Sequence, residues 1–181
     1  MINLLKSDGK MVQAEFKLLD ISYIDEVMKL QNLISKSIEN KEIFAVTSRE
    51  EFEEYFLENG KILGCVTKEK SKLIAIGVLV RFGYNKENYG YDLGVEGEKL
   101  LKIGQIDTVA VLEEYRGNKL QYLLIKYLEE LAQSMGINTM CATVSPYNKY
   151  SLYTFEKLGY QVKKDKLKYG GLRRYILSKE L

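Results

Sequence analysis

The stretch that most constrains what this chain can fold into is Val109 to Leu131, VAVLEEYRGNKLQYLLIKYLEEL. It reads as the end of a strand, a tight basic turn and an amphipathic helix. The strand, Ile106 to Val111, is rich in β-branched residues. The helix carries Leu120, Leu123, Leu124, Tyr127, Leu128 and Leu131 at spacings of three and four, so these side chains share one face. A helix opening directly on a turn after a strand presents unpaired backbone N–H groups and the positive end of its dipole. That is an anion site, with a diphosphate as a usual occupant, and Arg116 and Lys119 add charge to the same turn. Neither GxxxxGK[ST] nor GxGxxG occurs, which argues against a P-loop or a dinucleotide-binding fold. A solvated basic turn with no ligand is the alternative reading of the same residues.

The bulk properties narrow the classes. The 181 residues suit one domain, 1–181, able to bury about 70% of its unfolded surface. A net charge of +2 gives no argument for nucleic acid or a membrane surface. No run of eighteen apolar residues exists, so no membrane span is expected, and MINLLKSDGK lacks a signal-peptide core. Cys65 and Cys141 fall in apparent strands without metal-ligand spacing and read as buried thiols of a reducing, cytoplasmic compartment. There is no histidine. That excludes Ser-His-Asp and Cys-His catalysis and disfavours zinc, so no metal is expected.

In chain order, Val12 to Leu19 reads as a first strand. Asp20 or Ser22 can cap a helix running to about Ile38. Ser48 with Glu51 forms a capping box for a second helix, with Gly60 as its stop. Lys61 to Thr67 and Leu73 to Phe82 read as strands. The second, apolar on both faces, suits the centre of a sheet, and Gly77 within it allows a close backbone approach. Gly83 to Lys102 is long for a connection in a compact domain. It is either an ordered decorative loop or a lid or acceptor-side wall, in which Tyr84, Tyr89 and Tyr91 stack on an acceptor. Ile137 to Val144 reads as a strand. A helix from Asn148 and a final strand pair, Gly159 to Lys166 and Leu172 to Lys179, close the chain. The basic residues from Lys163 to Arg174 include Lys163, Lys164, Lys166 and Lys168, which alternate only partly with apolar residues, as on a solvated strand edge.

Two segments carry a family resemblance. VAVLEEYRGNKLQ resembles motif A of the GNAT superfamily of acyl-CoA-dependent N-acyltransferases, [RQ]-x-x-G-x-[GA] between a strand and a helix. Arg116 matches the first position, while Lys119 and Gln121 stand where the family has glycine and glycine or alanine. PYNKYSLYTFEKLGY, Pro146 to Tyr160, resembles the motif B helix through Asn148, Ser151, Phe155, Gly159 and Tyr160. The resemblance covers roughly residues 60–181 and implies an α/β (mixed α+β) fold. Its central sheet would be mostly antiparallel, with two parallel strands that splay apart and helices on its flanks.

The resemblance also implies chemistry. Acetyl-CoA is the expected cofactor, held by the backbone of Val109, Ala110 and Val111, by the turn Arg116, Gly117, Asn118, Lys119, Leu120, Gln121 and Tyr122, and by Asn148, Ser151 and Phe155. At 100° per residue Asn148, Ser151 and Phe155 share a face and Tyr153 points away. Asn148 also suits a helix N-cap. The usual general acid, a tyrosine, is replaced by Phe155, which has no proton to give. The usual glutamate base is replaced by Gln105. Asp107, two residues on and of the same pleat parity, is the candidate catalytic base. A structural carboxylate is its alternative role. The expected reaction moves an acetyl group to a primary amine of a small molecule or peptide by direct attack. A catalytically silent acyl-CoA sensor is the rival, and a nucleic-acid-binding module is the remotest. No nucleic-acid or membrane partner is expected, and the chain would be a monomer or homodimer.

Overall fold

The computed structural model describes residues 1–181. The elements are β1 (Ile2–Leu5), β2 (Met11–Leu18), α1 (Ile24–Ser37), α2 (Arg49–Glu54), β3 (Gly60–Thr67), β4 (Leu73–Val80), β5 (Ile103–Val111), α3 (Leu120–Ser134), β6 (Thr139–Val144), α4 (Lys149–Lys157), β7 (Gln161–Lys168) and β8 (Leu172–Glu180). The strands form one sheet in the order β1-β2-β3-β4-β5-β6-β8-β7. Only β5 and β6 pair in parallel; every other pairing is antiparallel. This is the mixed α/β sheet that the resemblance implies.

The centre is β4, LIAIGVLV, whose eight residues are all buried. Helices α1 and α3 both pack on β4 and β5, one on each face of the sheet. Gly77 is what lets α3 approach: a Cβ there would lie 3.0 Å from Leu128 Cδ1 and 3.3 Å from Leu124 Cβ. Leu120, Leu124, Ile125, Leu128 and Ala132 form the buried stripe of α3. Each large aliphatic side chain contributes about 1.5–3 kcal/mol by leaving water, so Leu128→Ala would cost roughly 2–5 kcal/mol.

Several boundaries differ from the sequence reading for visible reasons. β1 was not anticipated; it is four residues long and mostly exposed, with only Leu4 buried. β5 starts at Ile103, three residues earlier than its apolar run, because Gly104 leaves room where a Cβ would press on Ile137 and Met140 at 3.0 Å. Asp20 does cap the turn leading into α1, accepting from Ser22 N. The capping box of Ser48 and Glu51 forms, but α2 widens into a π turn over Tyr55–Asn59 before β3 begins at Gly60 itself. Lys163 to Lys168 lie on β7, the exposed outer edge of the sheet. Cys65 and Cys141 are buried free thiols, each pushed up to about 12 by desolvation. No helix is long and apolar enough to cross a membrane.

Candidate functional site

The site begins where two parallel strands part. β5 and β6 pair from Ile103↔Thr139 to Ile106↔Ala142 and no further. Beyond that point β5 stays with β4, up to Val111↔Ala75, and β6 stays with β8, up to Val144↔Tyr175. The facing edges of Asp107–Val111 and Thr143–Val144 are left without ladder partners. Leu112 N donates to Ile74 O of β4 at 2.9 Å. By the alternation of an antiparallel ladder, Ala110 also faces β4, whereas the N–H and C=O of Val109 and Val111 face the gap. A bulge marks the fork, with Asp107 and Thr108 together opposing Val78. A bulge bends the strand and re-aims its side chains.

The start of α3 closes one end of this gap. Its first intrahelical bond runs from Leu123 N to Lys119 O, so the N–H groups of Leu120, Gln121 and Tyr122 have no partner in the helix. The N–H groups of Gly117, Asn118 and Lys119 also find no backbone acceptor. Gly117 at φ 85° and Lys119 at φ 58° turn the chain through the left-handed region, which costs a lysine roughly 1–2 kcal/mol. Arg116 differs from the expectation: its N–H is already spent on Glu113 O at 3.1 Å. The side chains of this turn point to different partners, which leaves the main-chain N–H groups as its free donors. Lys119 is exposed, Arg116 sits 4.0 Å from Glu113, and Asn118 clamps β1 through Leu5 N and Leu5 O, both at 2.8 Å.

Motif B supplies the second wall. Asn148 caps α4, its Oδ1 accepting from Ser151 N at 3.1 Å. Gln121 Nε2 donates to Ser151 Oγ at 2.8 Å and ties α3 to α4. Phe155 is buried, edge-on to Tyr160 at 5.0 Å, while Tyr153 lies exposed. Val109, Gln121, Asn148, Ser151 and Phe155 border the same cleft as Asp107. Thus Gln121, which departs from the motif pattern, bridges the two helices.

Asp107 stands at the fork. Its Oδ2 accepts from Thr108 Oγ1 at 3.0 Å, and its Oδ1 lies 3.4 Å from the Tyr55 hydroxyl at the end of α2. Desolvation raises its pKa to about 6; the Glu51 carboxylate adds to the rise, and the two hydroxyls oppose it. The group is therefore a carboxylate at neutral pH whose proton affinity is well above that of a solvated aspartate. Gln105, by contrast, is fully enclosed and accepts from Tyr89 N at 2.5 Å.

Residues that no motif marks complete the opposite wall. Gln31 of α1 is buried and holds Thr47 by both backbone groups, Nε2 to Thr47 O at 2.8 Å and Thr47 N to Oε1 at 2.9 Å. Thr47 Oγ1 then meets Thr108 Oγ1 at 3.2 Å. This pins residues 43–47 along the cleft. From the β7–β8 turn, the Tyr169 hydroxyl contacts Thr143 Oγ1 at 2.8 Å and the Tyr89 hydroxyl. The expected stacking of Tyr84, Tyr89 and Tyr91 on an acceptor is not what the fold provides. Tyr89 is buried behind Tyr169, Tyr84 and Tyr91 are exposed, and none of the three borders the cleft. The loop is an ordered back wall. It is anchored by Asn88, whose Nδ2 donates to Gly83 O and Leu100 O, and by Asp92 against Lys166 and Lys168.

Residues 24–160 match the model of the acetyltransferase (GNAT) family. The chain belongs to that family. Its fold is also that of solved GNAT structures. An acetyltransferase from Streptococcus pneumoniae is 16% identical over 93% of this chain and all of its own, with a TM-score of 0.70. The PaiA N-acetyltransferase of Thermoplasma acidophilum in complex with coenzyme A is 15% identical over 93% of this chain and 99% of its own (TM-score 0.66). Arabidopsis thaliana NAA60 in complex with acetyl-CoA is 16% identical over 93% of this chain and 99% of its own (TM-score 0.72). At these identities the likeness is one of fold. No curated protein sequence matches the chain.

Proposed function

We propose that this GNAT chain transfers an acetyl group from acetyl-CoA to a primary amine by direct attack. The observation that carries the reading is the fork itself: unpaired strand edges, a helix N-terminus with free N–H groups and a desolvated carboxylate face one cleft. The free N–H groups from Gly117 to Tyr122 suit a diphosphate. The open edges of β5 and β6 suit the amides of a pantetheine arm, since buried amides need partners. Solved relatives of the same fold bind coenzyme A or acetyl-CoA.

Acetyl-CoA supplies a thioester, whose C–S bond breaks as the amine nitrogen joins the acyl carbon. Asp107 accepts the proton that the amine sheds, and Tyr55 and Thr108 hold its two oxygens in place. The Val109 N–H, aimed into the gap, donates to the carbonyl oxygen as negative charge develops there. Phe155 excludes water near the sulfur but gives no proton, so the sulfur departs as a thiolate. Orientation in the cleft carries much of the rate, since positioning can contribute roughly 7–11 kcal/mol. A single acid or base gives about a hundred- to ten-thousand-fold. The absent acid at Phe155 also favours a second reading, an acyl-CoA sensor without turnover.

The test is thermal unfolding with and without acetyl-CoA, followed by CoA release across amines. Ligand at a hundred times its Kd adds about 2.7 kcal/mol, a rise of roughly 5–10 °C for this length. A rise with CoA release supports the transferase. A rise with no release on any amine supports the sensor, and no rise at millimolar acetyl-CoA removes both.

A further inference from the structure

We propose that the acetyl acceptor is a small primary amine that also bears a carboxylate, which Arg174 binds across the cleft from Asp107. The proposal rests on the transferase reading above and names its substrate class.

Arg174 sits on β8, opposite Lys166 of β7, and borders the cleft. It is only 3% exposed. Its one hydrogen bond runs from Nη1 to Arg173 O at 2.9 Å, and its Nη2 is buried without any partner. No carboxylate forms an ion pair with it. Arg173 is taken by Asp165, and Lys166 and Lys168 are taken by Asp92. Glu42, just ahead of the 43–47 wall, acts on Arg174 only through space. A guanidinium withdrawn from water and left unpaired is costly. Its planar fork is built to take two oxygens at once. The Tyr169 ring lies beside it, 5.8 Å from the guanidinium carbon, and the Tyr169 hydroxyl is fixed by Thr143 and Tyr89. The arginine is thus held in place, with donors to spare.

The charges around the cleft choose the ligand. Arg174 is the only cationic side chain on its walls, and Glu51 and Asp107 are the acids. One positive charge opposite a carboxylate base matches an amine with a single negative charge. A dianionic phosphate would leave a charge uncompensated, facing Glu51, Asp107 and Glu42. The amine end belongs at Asp107 and Val109, where the fork places the base and the free N–H.

The experiment uses the full chain, saturating acetyl-CoA and matched pairs of amines. Straight-chain amino acids with one to about five carbons between the amine and the carboxylate are compared with alkylamines of equal length. Aminoalkylphosphonates form a third arm. CoA release gives kcat/KM for each. A two-pronged charged contact is worth roughly ten- to a hundredfold, so one chain length should show that preference for the amino acid. In Arg174→Gln the ratio should collapse to near one, and Arg174→Lys, with charge but no fork, should fall between. Arg174→Gln should melt no lower than the parent, since it removes an unpaired buried charge. Equal use of alkylamines at every length, or a ratio unchanged in Arg174→Gln, overturns the proposal. A preference for the phosphonate overturns the carboxylate. If no amine releases CoA although acetyl-CoA raises Tm, the transferase reading falls. In that case a further Tm rise with amino acids in the CoA complex, lost in Arg174→Gln, would still support the carboxylate site, and its absence would overturn it.

Discussion

Replacing Asp107 with asparagine should make this protein more stable and a poorer catalyst at once. The folded protein raises the Asp107 carboxyl from 3.8 to about 6, chiefly by desolvation. The ionised form is therefore less welcome in the folded chain than in the unfolded one. That rise in proton affinity, at 1.36 kcal/mol per tenfold, amounts to roughly 3 kcal/mol. Its sign follows from proton counts. Between about pH 4 and 6 the folded state binds more protons than the unfolded state, so stability falls as pH rises through that window. Above it the full penalty stands; below it the penalty vanishes. Asparagine carries no such penalty and still accepts from the Thr108 hydroxyl. Asp107→Asn should thus melt about 5–10 °C above the parent at pH 7.5, with the two curves converging towards pH 4. In acetylation assays the parent kcat/KM should rise with pH through an inflection near 6. The variant should lose that inflection and about a hundredfold or more of rate. A variant that melts lower at pH 7.5 would refute the desolvated carboxylate, and one that acetylates at full rate would remove Asp107 from the mechanism.

Two further substitutions probe the walls around that carboxylate. Tyr55→Phe removes a hydroxyl that lowers the Asp107 pKa while keeping the ring packed edge-on to Phe52 and Phe82; the pH–rate inflection should move upward with little loss of Tm. Gln31→Ala abolishes both hydrogen bonds that hold Thr47, leaving buried backbone groups unpaired at about 1–3 kcal/mol each. It should lower Tm and raise KM for the amine while the acetyl-CoA thermal shift persists, and an unchanged KM would show that residues 43–47 do not touch the acceptor.

What the sequence made legible was local. The Asn148 cap, the Ser48–Glu51 capping box and the apolar stripe of α3 each depend on residues within a turn or two, and each forms. The bridge from Gln31 to Thr47 spans the α1–α2 connection, and the contact of Tyr89 with Tyr169 joins residues eighty apart. No periodicity or motif encodes such pairings; only the sheet order brings them together. Arg174 was hidden in a basic stretch that reads as solvated edge. Lys166 opposite it on β7 and Arg173 before it on β8 are exposed, whereas Arg174 itself is buried, and no sequence pattern marks the difference.

Asp107 and Gln105 show how the division of the sheet sets a side chain's surroundings. Pleat parity places Asp107 on the same side of β5 as Gln105, yet the two have different fates. Gln105 pairs with Cys141 on β6 and lies under Tyr89, so its amide is sealed into the structure. Asp107 follows immediately after the last parallel pair, Ile106 with Ala142. From there no strand covers the β6 side of β5, and the bulge against Val78 turns the chain. A carboxylate one rung earlier would have been enclosed by a neighbouring strand. Placed at the fork, it is desolvated by burial, takes hydrogen bonds from Thr108 and Tyr55, and still borders the cleft. Its raised proton affinity and its place on the cleft therefore have one cause, the point at which the sheet divides.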